Sequence, residues 1–143
     1  NTFVPILGDI SKIEYFDRAI DILYLSRSLH EIANDMDLQK KILVSLVQKL
    51  SVNGRIIIID PYYIEKVSEN PEKYKREIDS ARKSLNQILG HSHSLREIPP
   101  PAIIQKELNE IMHIDKMMTF DDELTDWTGI VKSYCIIGSP NSK

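Results

Sequence analysis

The sequence predicts a mixed α/β fold. Its sheet is parallel in the first part, covered by helices on both faces, and closed by a C-terminal antiparallel hairpin. Three observations predict it. Residues 55–60, RIIIID, set four isoleucines in a row, and a strand without polar alternation is one buried on both faces, as in a parallel sheet under helices. Just before it, Leu38, Ile42, Leu43, Leu46, Val47 and Leu50 recur at steps of 4, 1, 3, 1 and 3, one face of a helix. The run GIVKSYCIIG (129–138) places Ile130, Lys132, Tyr134 and Ile136 on one side and Val131, Ser133, Cys135 and Ile137 on the other, a strand pattern.

Taken in order, TFVPIL (2–7) reads as a short strand ended by Gly8-Asp9, and AIDILYLS (19–26) as a second. The helix follows, with Asp35 or Asp37 able to cap its start. Asn53-Gly54 reads as the turn into the strand Arg55–Asp60. Asn70-Pro71 is a helix start, with Asn at the N-cap and Pro at the first helical position. Tyr74, Ile78, Ala81, Leu85 and Ile88 carry that helix at steps of 4, 3, 4 and 3, and Gly90 ends it. Pro99-Pro100-Pro101 leads into a helix over Ala102–Met112. HIDKMMTF (113–120) and the run at 129–138 then pair as the closing hairpin, because only the polar segment 121–128 separates them.

Composition narrows the function classes. The chain has 143 residues, 42% of them apolar, enough for one core, so 1–143 is read as a single domain. A net charge of −3 argues against gripping nucleic acid by bulk electrostatics. The one cysteine, Cys135, excludes an intrachain disulfide and a multi-cysteine metal site, and a reducing, cytoplasmic setting is expected. No apolar run approaches the roughly 18 residues of a membrane span. The chain begins on Asn1 rather than Met, which suggests a fragment or a processed product.

In an open α/β sheet, ligands bind beyond the carboxyl ends of the parallel strands. Three such ends are visible: Gly8-Asp9, then Ser26-Arg27-Ser28-Leu29-His30-Glu31, then Asp60-Pro61-Tyr62-Tyr63. Each is a place where an apolar run turns abruptly polar. Asp60, Tyr62 and Tyr63 are candidates for the rim of a substrate pocket. Asp60 can equally close the strand, and the tyrosines can equally cover the sheet end. His91 and His93 have no third ligand nearby in sequence, so a solvated loop is the simpler reading and no metal site is assigned. Trp127 can pack the hairpin or stack on a substrate, and packing is the favoured reading.

GDI (8–10) after a strand, FDRAIDILYLSRSLHEI (16–32), LVQKLSVNGRIIIIDP (46–61) and the closing VKSYCIIGSP (131–140) together resemble the class I S-adenosylmethionine-dependent methyltransferases. SVNGRIIIIDP is similar to the family's LxxLxxxLxxGGxLxIxD run, with Asn53 where the first glycine often stands. The resemblance covers most of Val4–Gly138, closely over 4–60 and loosely over 64–128. It implies a Rossmann-like sheet ending in antiparallel sixth and seventh strands, and S-adenosylmethionine as cofactor. It also implies site residues. Asp9 matches the position that hydrogen-bonds the adenine amino group, and Ile10 the position beside the adenine ring. Ser26 and Arg27 match the segment beneath the cofactor. His30 is similar in place to the general base of plant-type small-molecule O-methyltransferases, a role that suits a side chain titrating near neutral pH. For Asp9 a turn-capping role stands beside the functional one. For His30 the alternative is a structural residue that begins a helix.

The departure from the family is large. Its glycine-rich turn after the first strand is missing, and Gly8, Gly54, Gly90, Gly129 and Gly138 form no G-x-G pattern. The match begins at the family's third strand. The chain is therefore expected to be the C-terminal half of a methyltransferase domain. It would be inactive alone and would need the missing N-terminal half or a complementing chain. The rival expectation is a non-catalytic methyltransferase-like scaffold or partner subunit. An apolar sheet edge left without its neighbours is also expected to self-associate.

Overall fold

The structure is a computed structural model, and it describes residues 19–29, 36–89, 101–121 and 129–141. The strand expected at 2–7 and the His91–His93 loop lie outside these residues. β1 (Ile20–Ser26), α1 (Met36–Gln48) and β2 (Leu50–Tyr63) form the first unit, with β1 and β2 parallel neighbours joined through α1. A short helix, α2 (Glu65–Glu69), a 3-10 turn (Pro71–Tyr74) and a long helix, α3 (Lys75–Leu89), follow. The chain closes with α4 (Pro101–Asn109), β3 (Met112–Phe120) and β4 (Val131–Pro140). The sheet order is β1-β2-β4-β3, with β4 antiparallel to both β2 and β3. A mixed sheet, parallel first and closed by an antiparallel hairpin, is what the sequence predicts.

The apolar periodicities decide which face meets which helix. Successive strand residues point to opposite faces, so Leu23, Leu25, Ile56, Ile58, Tyr134, Ile136 and Met112 share one face. They form the main core with Ile42, Leu43, Leu46 and Val47 of α1 and Ile104 and Leu108 of α4. Ile56, Ile58, Leu46, Leu108 and Ile136 are 0% exposed; burying an aliphatic side chain this completely contributes about 1.5–3 kcal/mol. Lys40 bridges the two helices on this side, with Nζ 2.7 Å from Glu107 and 2.6 Å from Glu110. The opposite face is covered at one end, where Tyr63 and Val131 pack with Val67 of α2, Ala81 of α3 and Ile130. Helices therefore lie on both faces.

Several boundaries move from their expected places. β2 begins at Leu50 and runs to Tyr63, rather than from Arg55 to Asp60. Its far end continues because β4 pairs with it through Tyr63↔Val131. The turn falls at Lys49, whose N–H donates to Leu46 O at 3.1 Å, and Asn53-Gly54 lie inside the strand. Between the pairs Ile20↔Leu50 and Ile22↔Arg55, β2 carries the extra residues of an irregularity. Gly54 is needed there: a Cβ would stand 2.8 Å from Ile20 O and 2.9 Å from Ser51 O. The helix start at Asn70-Pro71 is a 3-10 turn first, with α3 beginning only at Lys75, and the Asn70 side chain makes no capping bond. α4 starts one residue earlier and ends three residues earlier than expected, because Met112 already pairs with Pro140 in β3.

Candidate functional site

The carboxyl ends of β1 and β2 lie side by side, because the two strands are parallel and Ser26 pairs with Ile59. That places Arg27 level with Asp60. The Arg27 N–H donates to Ile59 O at 2.7 Å, continuing the ladder one residue beyond β1. Arg27 has φ of 52°, the only positive φ at a non-glycine among the described residues. Left-handed backbone is unfavourable for a side chain bearing Cβ, and where it persists the surroundings impose it. Here it turns the chain off the sheet, leaving Ser26 exposed and burying Leu29 to 2%. Ser26 and Arg27 thus reach the sheet rim together, as expected of neighbours at a strand end. Asp9, Ile10 and His30, the other residues expected near the cofactor and the transferred proton, lie outside the described residues.

The β2 side divides. Asp60 is not the last residue of the strand; it is paired with Tyr134 in mid-ladder and is 2% exposed. Its Oδ1 is fully enclosed. By strand alternation Asp60 shares its face with Ile58, Tyr62 and Tyr134. The rings of Tyr62 and Tyr134 stand 6.3 Å apart at 52°, the tilted arrangement aromatic pairs favour. Burial pushes the Tyr134 hydroxyl well above its ordinary pKa, and the negative charge of Asp60 adds to the shift. Tyr63 points to the other face. It is 7% exposed in the second cluster, its carbonyl accepts a bond from the Ser68 hydroxyl at 3.1 Å, and burial raises its pKa to about 12. Of the three β2 residues, Tyr62 is the one both accessible and on the Asp60 face.

The structure adds residues that strand alternation alone could not nominate. Tyr134 and Ser133 of β4, 1% and 0% exposed, flank Asp60 and Pro61 across the ladder. Lys132, opposite Tyr62, holds Asp121 at 2.7 Å. Their signal was absent from the sequence because it depends on the register between two strands roughly 70 residues apart. Ser26 and the Arg27 guanidinium can orient a polar ligand at the end of β1, while Asp60 and Tyr134 are buried polar groups on the sheet face opposite the Ser26 side chain. An open groove of about 850 Å³ lies at the opposite end of the sheet, bordered by Val47, Leu50, Val52 and Pro140. None of its described lining residues is charged, and it is remote from the carboxyl ends of β1 and β2. Among the described residues no cluster of His, Cys, Asp and Glu could hold a metal ion, and no helix is long and apolar enough to cross a membrane.

No protein-family model matches the chain, and no curated protein matches it in sequence. Solved structures do match it in fold. The N-methyltransferase NodS from Bradyrhizobium japonicum WM9, determined in complex with S-adenosyl-L-homocysteine, superposes with a TM-score of 0.53 at 12% identity over 91% of this chain. A putative methyltransferase from Bacillus halodurans C-125 superposes with a TM-score of 0.58 at 11% identity over 94% of this chain. The chain spans 52% of the NodS chain and 70% of the Bacillus chain. Its sheet and helices therefore have the fold of methyltransferase structures.

Proposed function

We propose that this chain is the cofactor-distal part of an S-adenosylmethionine-dependent methyltransferase, acting on a small-molecule or other acceptor, with O-methylation as the reaction. One observation carries the reading. The parallel β1–β2 pair, crossed over by α1 and closed by antiparallel β4 and β3, follows the fold of two methyltransferase structures over nine-tenths of the chain, and Ser26 and Arg27 lie at the carboxyl end of β1, the side of such a sheet that binds ligands.

The described residues fit the cofactor in part. An exposed Ser26 hydroxyl and the Arg27 guanidinium match its hydroxyl and carboxylate groups, whereas the sequence supplies no glycine-rich turn to receive them closely. S-adenosylmethionine, when bound, supplies a methyl group on sulfur that is ready for in-line displacement. The chain's own contribution is then mainly positioning. Ser26 and Arg27, together with Asp9 and Ile10, hold the cofactor side. Tyr62 orients the acceptor over the buried Asp60–Tyr134 pair. His30 takes the acceptor hydroxyl's proton as that oxygen attacks.

A second reading, a non-catalytic scaffold or partner subunit, is favoured by the absence of any G-x-G pattern among the five glycines. Calorimetry separates the two. Titrated alone with S-adenosylhomocysteine, the chain is expected to give weak heat or none; tight binding would overturn the reading that these residues lack the cofactor-binding half. Mixed with a polypeptide carrying that loop, the chain is expected to bind, and Arg27→Ala to weaken binding. No binding in the mixture would favour the scaffold.

A further inference from the structure

We propose that Asn53 is a site of spontaneous covalent modification, at which its side-chain amide is exchanged for a carboxylate in a reaction promoted by the Arg55 guanidinium. The proposal goes beyond the methyltransferase reading and does not depend on it. Asn53 is the one asparagine of the chain followed by glycine. The side-chain carbonyl carbon of an asparagine lies within reach of the next residue's backbone nitrogen, and a glycine there has no Cβ to crowd the approach. The Asn53 side is exposed to water, and Gly54 is buried beside it.

The irregularity in β2 leaves both residues outside the ladders. Ile20↔Leu50 and Ile22↔Arg55 are successive pairs of β1 with β2, so residues 51–54 bulge between them, and the pairing with β4 starts at Ile56↔Gly138. Val52, within the same bulge, is 90% exposed. Arg55 folds back over it. Its Nη1 donates to Asn53 O at 3.3 Å and to Gly54 O at 3.0 Å. The first contact is the chemically informative one. Asn53 O and Gly54 N belong to one peptide group, so negative charge created on the nitrogen is shared with that oxygen by resonance. A cation held there stabilises the charge, as donors in an oxyanion-binding site do.

The steps balance with water as the only co-reactant. Hydroxide removes the Gly54 N–H proton, and the resulting anion spreads onto Asn53 O beside the guanidinium. The nitrogen then attacks the Asn53 side-chain carbonyl carbon. A ring C–N bond forms, the bond to the side-chain nitrogen breaks, and ammonia leaves with a proton taken from water, which restores the hydroxide. Water opens the cyclic imide at either carbonyl and gives aspartate or isoaspartate. Either product sets a new carboxylate beside Arg55, whose Nε already lies 3.5 Å from Asp115 of β3. Isoaspartate also lengthens the main chain by a methylene next to Gly54, where a Cβ would stand 2.8 Å from Ile20 O, so the modified loop is expected to be less stable.

Incubation of the full chain at mildly alkaline pH, followed by peptide mass mapping and chromatographic separation of isoaspartyl peptides, tests this. Asn53 is expected to convert faster than every other asparagine. Arg55→Met should slow the conversion at least about threefold in the folded chain and should have little effect in urea, where the loop geometry is lost. Asp115→Ser removes the carboxylate that faces the same guanidinium and should speed it. Circular dichroism would verify that each variant is folded, and should Arg55→Met not fold, Asp115→Ser decides alone. An Asn53 that outlasts the other asparagines overturns the proposal. So does a folded Arg55→Met variant that converts at the wild-type rate, or an Asp115→Ser variant that converts no faster than the wild type.

Discussion

Arg27 and Gly54 both sit where the backbone constrains residue type: Arg27 adopts a left-handed conformation, and Gly54 has no room for a Cβ. Replacing Arg27 by Ala and by Gly removes the same side-chain interactions, so the difference between the variants reports the left-handed backbone alone. The glycine variant is expected to be more stable than the alanine variant by about 1 kcal/mol in urea unfolding; equal stabilities would mean that φ relaxes. At Gly54 the opposite holds. A Cβ would meet backbone oxygens at 2.8 and 2.9 Å, which cannot swing aside as a side chain would. Gly54→Ala is expected to cost about 1–3 kcal/mol. Tyr63 gives a pH signature. Burial raises its folded pKa from 10.0 to about 12, so the folded state holds the proton longer than the unfolded one. The resulting stability is fully present below pH 10 and is lost as pH rises through about 12. Tyr63→Phe should flatten this alkaline fall, and an unchanged profile would assign it to other groups, Tyr134 first among them.

At the scale of elements, α1 illustrates how much of the fold was legible. Its apolar steps placed Leu38, Ile42, Leu43, Leu46, Val47 and Leu50 on one helix face; the middle four are buried in the main core, whereas Leu38 is 45% exposed and Leu50 already belongs to β2. Leu46→Ala is expected to destabilise by about 2–5 kcal/mol in denaturant unfolding, since the site is fully enclosed and can only partly collapse. Lys40, by contrast, bonds Glu107 and Glu110 in solvent. It lowers the pKa of Glu110, yet exposed pairs are largely screened and contribute little. Lys40→Met should leave the melting temperature almost unchanged, and a large drop would reveal coupling between α1 and α4 that exposure does not suggest. The closing hairpin was legible because each of its strands is a local pattern and the connection is short. The 3-10 start of α3 was not, because Asn70-Pro71 signals a helix start without specifying which hydrogen-bond spacing follows.

At the scale of the molecule, the parallel pair and the hairpin make one sheet with unequal faces. One is closed by α1 and α4; among the described residues the other is covered by helices only near Tyr63 and Val131, with Ile22 and Tyr24 exposed at the β1 side and Met118 and Phe120 at the β3 side. An apolar surface of this kind is a site of association. Complementation by a cofactor-binding polypeptide would bury part of it. Adding that polypeptide should then form a heterodimer, and sedimentation alongside calorimetry would detect it.

The sequence by itself determined the strands β1, β2, β3 and β4, the helices α1, α3 and α4 in their order, and the central part of the apolar face of α1, because period and turn chemistry are local properties. It also located the carboxyl end of β1, where Ser26 and Arg27 lie. It did not show the short helix α2 or the 3-10 turn after it. Tertiary structure alone decided how far β2 runs, since its last residues are held by β4 rather than by their own propensity. It decided that Tyr62 and Tyr63 part to opposite faces and that Asp60 lies buried under Tyr134 rather than at the rim. It also decided that Arg27 adopts a backbone its residue type disfavours. Each of these depends on the register between strands distant in the chain, and register is set by packing that no single stretch of sequence contains.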